Sequence, residues 1–105
     1  MKMKFLKFKP YRNENILKAA KGEPCFLNGP KCTGGYDDTV WCHLNESFAG
    51  KGIGKKADDS AGFFGCFWCH DWYDGRTGFS RPSDKDILRA VVLSYRRLFD
   101  RGIIK

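Results

Sequence analysis

Toward the end of the chain, apolar residues return every three or four positions: Ile87, Leu88, Val91, Val92, Tyr95, Leu98 and Phe99. That spacing keeps them on one side of a helix, so it predicts an amphipathic helix ending near Gly102. Ser83-Asp84-Lys85-Asp86 precedes it and reads as a capping box with Asp in place of the usual Glu. Upstream, Thr39-Val40-Trp41-Cys42-His43-Leu44 is β-prone. As a strand it puts Trp41 and His43 on one face and Val40, Cys42 and Leu44 on the other. A brief helix is expected through Ile16, Leu17, Ala19 and Ala20, capped by Asn13 or Asn15 and stopped by Gly22.

Between these elements the pattern breaks. The first nine residues alternate Lys with Met or Phe only as far as Lys4, and read as a short basic strand or arm closed by Pro10. From Glu23 to Gly35, two prolines and three glycines mark a loop with tight turns. Gly50-Lys51-Gly52-Ile53-Gly54-Lys55-Lys56 interleaves glycine with lysine, which predicts a mobile cationic loop. Phe63-Phe64 then leads into Cys66-Phe67-Trp68-Cys69-His70-Asp71-Trp72-Tyr73-Asp74-Gly75, read as a knuckle running into a short helix that Gly75 ends. If that helix begins at His70, its imidazole turns about 100° away from Cys69.

Composition narrows the class. The chain has 105 residues, and Lys+Arg 19 against Asp+Glu 12 gives a formal charge of +7. That length suits one domain over 12–105, preceded by the basic arm over 1–11. Hydrophobic residues make up 42% and charged residues 30%, which is not the balance of a disordered chain. No apolar run approaches the ~20 residues of a membrane span. The basic first ten residues lack the apolar stretch of a secretory signal, so the expected location is the cytoplasm, with no membrane partner.

In a reducing compartment the five cysteines change the picture. Cys66 and Cys69 form C-x2-C, a spacing at which one turn presents two thiolates to one ion; Cys25 and Cys32 enclose a six-residue loop with Gly29 and Pro30. Four soft ligands suit tetrahedral zinc, and a structural Zn²⁺ would stabilise a domain whose core is thin. Buried free thiols packing as small hydrophobes are the alternative. Cys42 is left over and reads as a packing residue of the strand.

Both histidines sit beside a cysteine. His70 and Asp74, four residues apart, lie on one helical face and make a mixed N/O pair suited to a second divalent ion. A capping His–Asp hydrogen bond would use the same spacing. The order of elements adds to this: a strand bearing His43, a flexible loop, then C-x2-C-His-x3-Asp opening a helix. It resembles the ββα-metal (HNH, or His-Me finger) nucleases. Closer still, the chain from about Leu17 to Lys105 is similar to the small prophage-encoded YbcO-type family of candidate nucleases, with the nuclease domain of the phage protein Ref as a relative. The residues carrying the resemblance are Lys18-Ala19-Ala20-Lys21-Gly22, Cys25, Cys32, Cys42-His43, Gly52-x-Gly54-Lys55, Asp59, Cys66-x2-Cys69-His70-Asp71-x2-Asp74, Arg76-Thr77 and Gly102-Ile103-Ile104-Lys105.

The resemblance implies an α+β fold. It would be a small zinc-stapled ββα-metal (HNH-like, treble-clef-type) domain with an N-terminal arm, a short helix and a C-terminal amphipathic helix. It implies a metal-dependent DNA endonuclease in phage or prophage recombination or processing, with His43 as general base and one Mg²⁺ or Mn²⁺ held by His70 and Asp74. Asp59 would be either a third ligand or the group that orients His43. Two positions depart from the nuclease pattern: Cys42 stands where many members carry a metal-binding Asp or His, and the middle Asn of HNH is missing, with Asp58 or Asp59 near its place. Lys51, Lys55, Lys56 and Arg76 are candidates for phosphate contacts, as are the arm's lysines and Arg89, Arg96, Arg97 and Arg101. DNA is the implied partner, with a recombinase or other phage recombination protein beside it. The alternative is a non-catalytic zinc-stapled nucleic-acid-binding module, which the positive charge serves equally. A third reading, a protein-interaction domain, would leave an apolar patch on the terminal helix.

Overall fold

The computed structural model describes residues 9–52 and 55–105. The basic arm therefore lies outside the described residues as far as Phe8, as do Ile53 and Gly54 of the lysine loop. Four longer elements and a 3₁₀ turn precede the terminal helix. They are α1 (Glu14–Ala19), β1 (Val40–His43), the 3₁₀ turn (Ser47–Ala49), β2 (Gly62–Gly65) and α2 (Phe67–Tyr73), followed by α3 (Asp84–Asp100). The result is a small α+β domain: a two-stranded sheet with helices packed on it.

Local chemistry accounts for the ends of the helices. Asn13 is the residue that caps α1, its side chain accepting from the Asn15 N–H. Gly22, at φ 94°, turns the chain out just beyond it. The Ser83 hydroxyl accepts from Asp86 N–H while the Asp86 carboxylate accepts from Ser83 N–H, which completes the capping box of α3. α2 departs from expectation: it starts at Phe67, three residues before His70, and the Cys66 sulfur is its N-cap, accepting from Cys69 N–H at 3.3 Å.

β2 has no counterpart in the hydrophobic pattern. Gly62-Phe63-Phe64-Gly65 is buried at every position, so it shows no alternation. It runs antiparallel to β1, with Trp41 opposite Phe64, Cys42 opposite Phe63 and His43 opposite Gly62. Gly62 is required there: a Cβ would lie 2.6 Å from the Cys42 carbonyl oxygen and 2.7 Å from the Trp41 indole. The outer edge of β2 is also satisfied. Phe64 N–H donates to the Ser94 hydroxyl of α3 at 2.8 Å, and the Phe64 carbonyl accepts from Phe26 N–H at 3.0 Å.

The hairpin divides the core in two. Trp41 and Phe64 face Ile16, Ala19, Ala20 and Leu98, while Cys42 and Phe63 face the other cysteines, Trp72, Tyr73 and Ala90. α3 lies against β2 through Ala90, Ser94 and Leu98. Two small residues at the contact let the helix approach closely enough for the Ser94 hydrogen bond. Three of the seven apolar residues predicted for α3 consequently point elsewhere: Leu88, Val92 and Phe99 are exposed. Arg97 and Arg101 grip the buried Glu23 carboxylate, with Arg97 Nε 2.8 Å from Oε1 and Arg101 Nη1 2.7 Å from Oε2. These two arginines, and Arg89 on the Leu27 carbonyl, brace the fold while their side chains remain 46%, 39% and 49% exposed.

Candidate metal centre and histidine cluster

The Sγ atoms of Cys25, Cys32, Cys66 and Cys69 all lie within 4.8 Å of one another. Zinc–sulfur bonds of about 2.3 Å place tetrahedral sulfurs about 3.8 Å apart; Cys32 and Cys66 are 3.9 Å apart. Backbone N–H groups already point at the sulfurs: Gly29 to Cys69 at 3.3 Å and Gly34 to Cys32 at 3.2 Å. Gly35 closes the loop at φ 89°, where a Cβ would meet Cys25 N at 2.4 Å. All five cysteines are free thiols. The four clustered ones can hold a metal ion, and an all-sulfur donor set suits zinc.

Electrostatics within the cluster favours a cation. A hydrogen bond from Cys69 holds the Cys25 thiol down at about 5, against burial, with backbone hydrogen bonds helping. Burial pushes Cys32 up to about 11, and the negative charge on Cys25 adds to the rise. Cys69 is raised by its role as donor to Cys25 and by burial. Negative charge on one sulfur opposes charge on the next, an obstacle that a divalent ion removes. Cys42 stands apart from the four; burial pushes its thiol up, and it packs as a small hydrophobe.

His43 ends β1. Its Nε2 lies 2.8 Å from Asp59 Oδ1. Asp59 is buried, its carboxylate 3% exposed against 20% for the imidazole. Residues just before α1 hold it: Asn13 N–H donates to Oδ2 at 2.7 Å, and Arg12 Nη1 stands 3.9 Å from Oδ1 while donating to the Ala57 carbonyl. Burial by itself would raise the Asp59 pKa. The hydrogen bonds from His43 and Asn13 and the nearby charges outweigh it and bring the group below its ordinary value. An ionised Asp59 only accepts, so the nitrogen facing it, Nε2, is the one that donates.

His70 and Asp74 meet at the end of α2, with Nε2 3.5 Å from Oδ2. Arg76 approaches the same oxygen at 3.7 Å and Asp71 at 3.4 Å. Asn45, which the sequence reading missed, joins the two elements: its side-chain amide donates to Asp74 Oδ1 at 2.9 Å, and its backbone N–H donates to the Tyr73 hydroxyl at 2.9 Å. It lies two residues beyond His43, and nothing in spacing or composition marks it. The structure thus couples His43 to Asp59, and His70 to Asp74 and Arg76. Asp59 does not join His70 and Asp74 in a cluster; among the described residues the four cysteines form the one group of three or more donors so close together. Lys51, Lys55 and Lys56 are exposed in the connection between the strands. No helix among the described residues is long and apolar enough to cross a membrane.

Comparison with known proteins agrees with this organisation. Among curated proteins none matches the chain. A solved structure, "Structure of a putative bacteriophage protein from Escherichia coli str. K-12 substr. MG1655", is similar with a TM-score of 0.65 at 24% identity, over 83% of this chain and 99% of that one. The profile of the family described as "Putative nuclease YbcO" matches residues 14–96, a span that includes the hairpin, the four cysteines and both histidines. This protein belongs to that family.

Proposed function

We propose that the chain is a metal-dependent DNA endonuclease of the ββα-metal (HNH-like) type, working in phage or prophage DNA processing beside a recombinase in the host cytoplasm. Family membership supports nuclease chemistry. The observation that carries the mechanism is the His43–Asp59 pair at 2.8 Å, on a strand that Asn45 ties to the helix end bearing His70 and Asp74. The order of hairpin and helix supports the HNH-like reading.

The chain's own residues supply most of the steps. Asp59 accepts the Nε2 hydrogen and fixes the ring, leaving His43 Nδ1 to take a proton from water as the water oxygen forms a bond to phosphorus. The bond from phosphorus to the 3′ oxygen breaks, and that oxygen takes a proton from solvent to become a 3′-hydroxyl, with the phosphate remaining on the 5′ end. His70 and Asp74 would hold one Mg²⁺ or Mn²⁺. Two protein donors fit such an ion, which keeps several waters and binds substrate phosphate. When bound it supplies charge neutralisation at the scissile phosphate and the leaving oxygen. Lys51, Lys55, Lys56 and Arg76 would steady the flanking phosphates. The cysteine centre would hold structural Zn²⁺ and fix the start of α2.

The test is cleavage of plasmid, linear and single-stranded DNA with Mg²⁺ or Mn²⁺, comparing wild type with His43→Ala. Cleavage should fall at least about a hundredfold in the variant, with zinc content and melting unchanged. A wild-type protein that binds DNA but never cuts it, with His43→Ala binding equally well, would establish the non-catalytic binding module instead.

A further inference from the structure

Leu88, Val92 and Phe99 are 63%, 49% and 63% exposed, an unusual amount of apolar surface for three positions on one helix. With Tyr95 they recur at intervals of four, three and four residues. That is the spacing of a two-helix seam, in which such side chains act as knobs for a neighbouring helix. Val92, Tyr95 and Phe99, together with Ile104, line a hollow of about 520 Å³ beside Arg96 and Asp100. Leu88, Val92 and Phe99 lie on a different side of α3 from Ala90, Ser94 and Leu98, which contact the sheet, while Tyr95 sets its ring against Trp41 at 6.0 Å and closes the inner edge of the stripe.

Charge selects the occupant. At about 100° per residue, Lys85, Arg89 and Arg96 fall along one border of the stripe, with Asp100 beyond them. Lys85, Arg89 and Arg96 are all exposed, Arg89 also reaching Asp86 and the Leu27 carbonyl. A second copy would carry the same formal +7, so net charge opposes self-association. We propose that the outer face of α3 docks an acidic amphipathic helix from another protein, with apolar residues at seam spacing and carboxylates along the border. The site is independent of the hydrolytic reading. It gives this domain a protein-binding surface in addition to its nucleic-acid chemistry.

The probe is a fluorescein-labelled synthetic peptide of about three heptads, with Leu at a and d and Glu at e and g. A control peptide carries Lys in place of Glu. Anisotropy titrations use the full-length, metal-loaded protein. The Glu peptide should bind saturably, and the Lys peptide at least about tenfold more weakly. The double variant Leu88→Ser, Phe99→Ser keeps the charge of the protein and should lose at least about tenfold in affinity for the Glu peptide. Lys85→Glu with Arg96→Glu should invert the preference between the peptides. These positions are exposed, so an unchanged metal content and melting curve verify that each variant is folded. The proposal is overturned by equal affinity for both peptides or by binding insensitive to Leu88→Ser, Phe99→Ser. Absence of saturable binding, or a dimer in sedimentation that the serine variant dissolves, overturns it as well.

Discussion

A single carboxylate organises the histidine on β1. Asp59 is buried, ionised and held from three directions, so its negative charge fixes both the tautomer and the direction of the imidazole. Asp59→Asn keeps the shape but removes the charge, and should lower kcat roughly tenfold while leaving KM and metal content unchanged. The same group gives a pH signature. Its pKa lies below the unfolded value, so its contribution to stability is present above the ordinary carboxylate range and is lost as pH falls through the lowered folded value. The difference in Tm between wild type and Asp59→Asn should therefore be greatest at neutral pH and shrink in acid. The comparison is made over the pH range in which both proteins keep their metal content; a gap that does not narrow toward the acid end of that range would contradict the charge argument. Asn45 acts on the neighbouring pair. Asn45→Ala frees one oxygen of Asp74, and should raise the Mg²⁺ concentration needed for half-maximal cleavage severalfold without changing bound zinc. The resemblance offered Asp59, sixteen residues from His43, as the group that orients it or as a third ligand, and the structure puts it against His43; Asn45, twenty-nine residues from Asp74, had no mark in the sequence.

At the scale of elements, the helices were legible and the sheet only in half. α3 announced itself because its capping box and apolar spacing are local properties of consecutive residues. Ser83→Ala should cost about 1 kcal/mol, a fall in Tm of roughly 4–8 °C for a domain of this length, measured by thermal unfolding. A loss within experimental error would mean that packing alone fixes the start of the helix. β1 was read from its β-branched and aromatic residues, but β2 was not, since glycine at both ends and burial at every position erase the alternating signal. The early start of α2 has a similar cause: a cysteine sulfur takes the capping role that a Ser or Asp would otherwise advertise. For α3 the spacing fixed the helix but not its orientation. Its apolar sector is wide, and the contact went to the small residues Ala90 and Ser94, leaving larger side chains outside.

For the whole molecule, the four clustered cysteines bring the turn-rich loop from Cys25 to Cys32 against the first turn of α2, next to one of two small core clusters. Structural zinc contributes about 10–16 kcal/mol of apparent binding energy in small domains. That matches or exceeds the roughly 5–15 kcal/mol stability of most whole domains. Chelation should therefore abolish the cooperative melt and the near-ultraviolet dichroism of the buried tryptophans, and added Zn²⁺ should restore both. A metal-free protein that melts as before would show the cysteines to be an ordinary core. The sequence by itself determined the features set by neighbours along the chain: the helix periods, the caps, the turn glycines, and the paired cysteine spacings whose thiol chemistry suits a soft metal. Only the tertiary structure decided which carboxylate meets His43, that Glu23 absorbs Arg97 and Arg101, and which flank of α3 stays open. Those outcomes depend on groups far apart in the chain competing for the same buried space, where desolvation makes every unpaired charge costly and every close approach depend on a missing side chain.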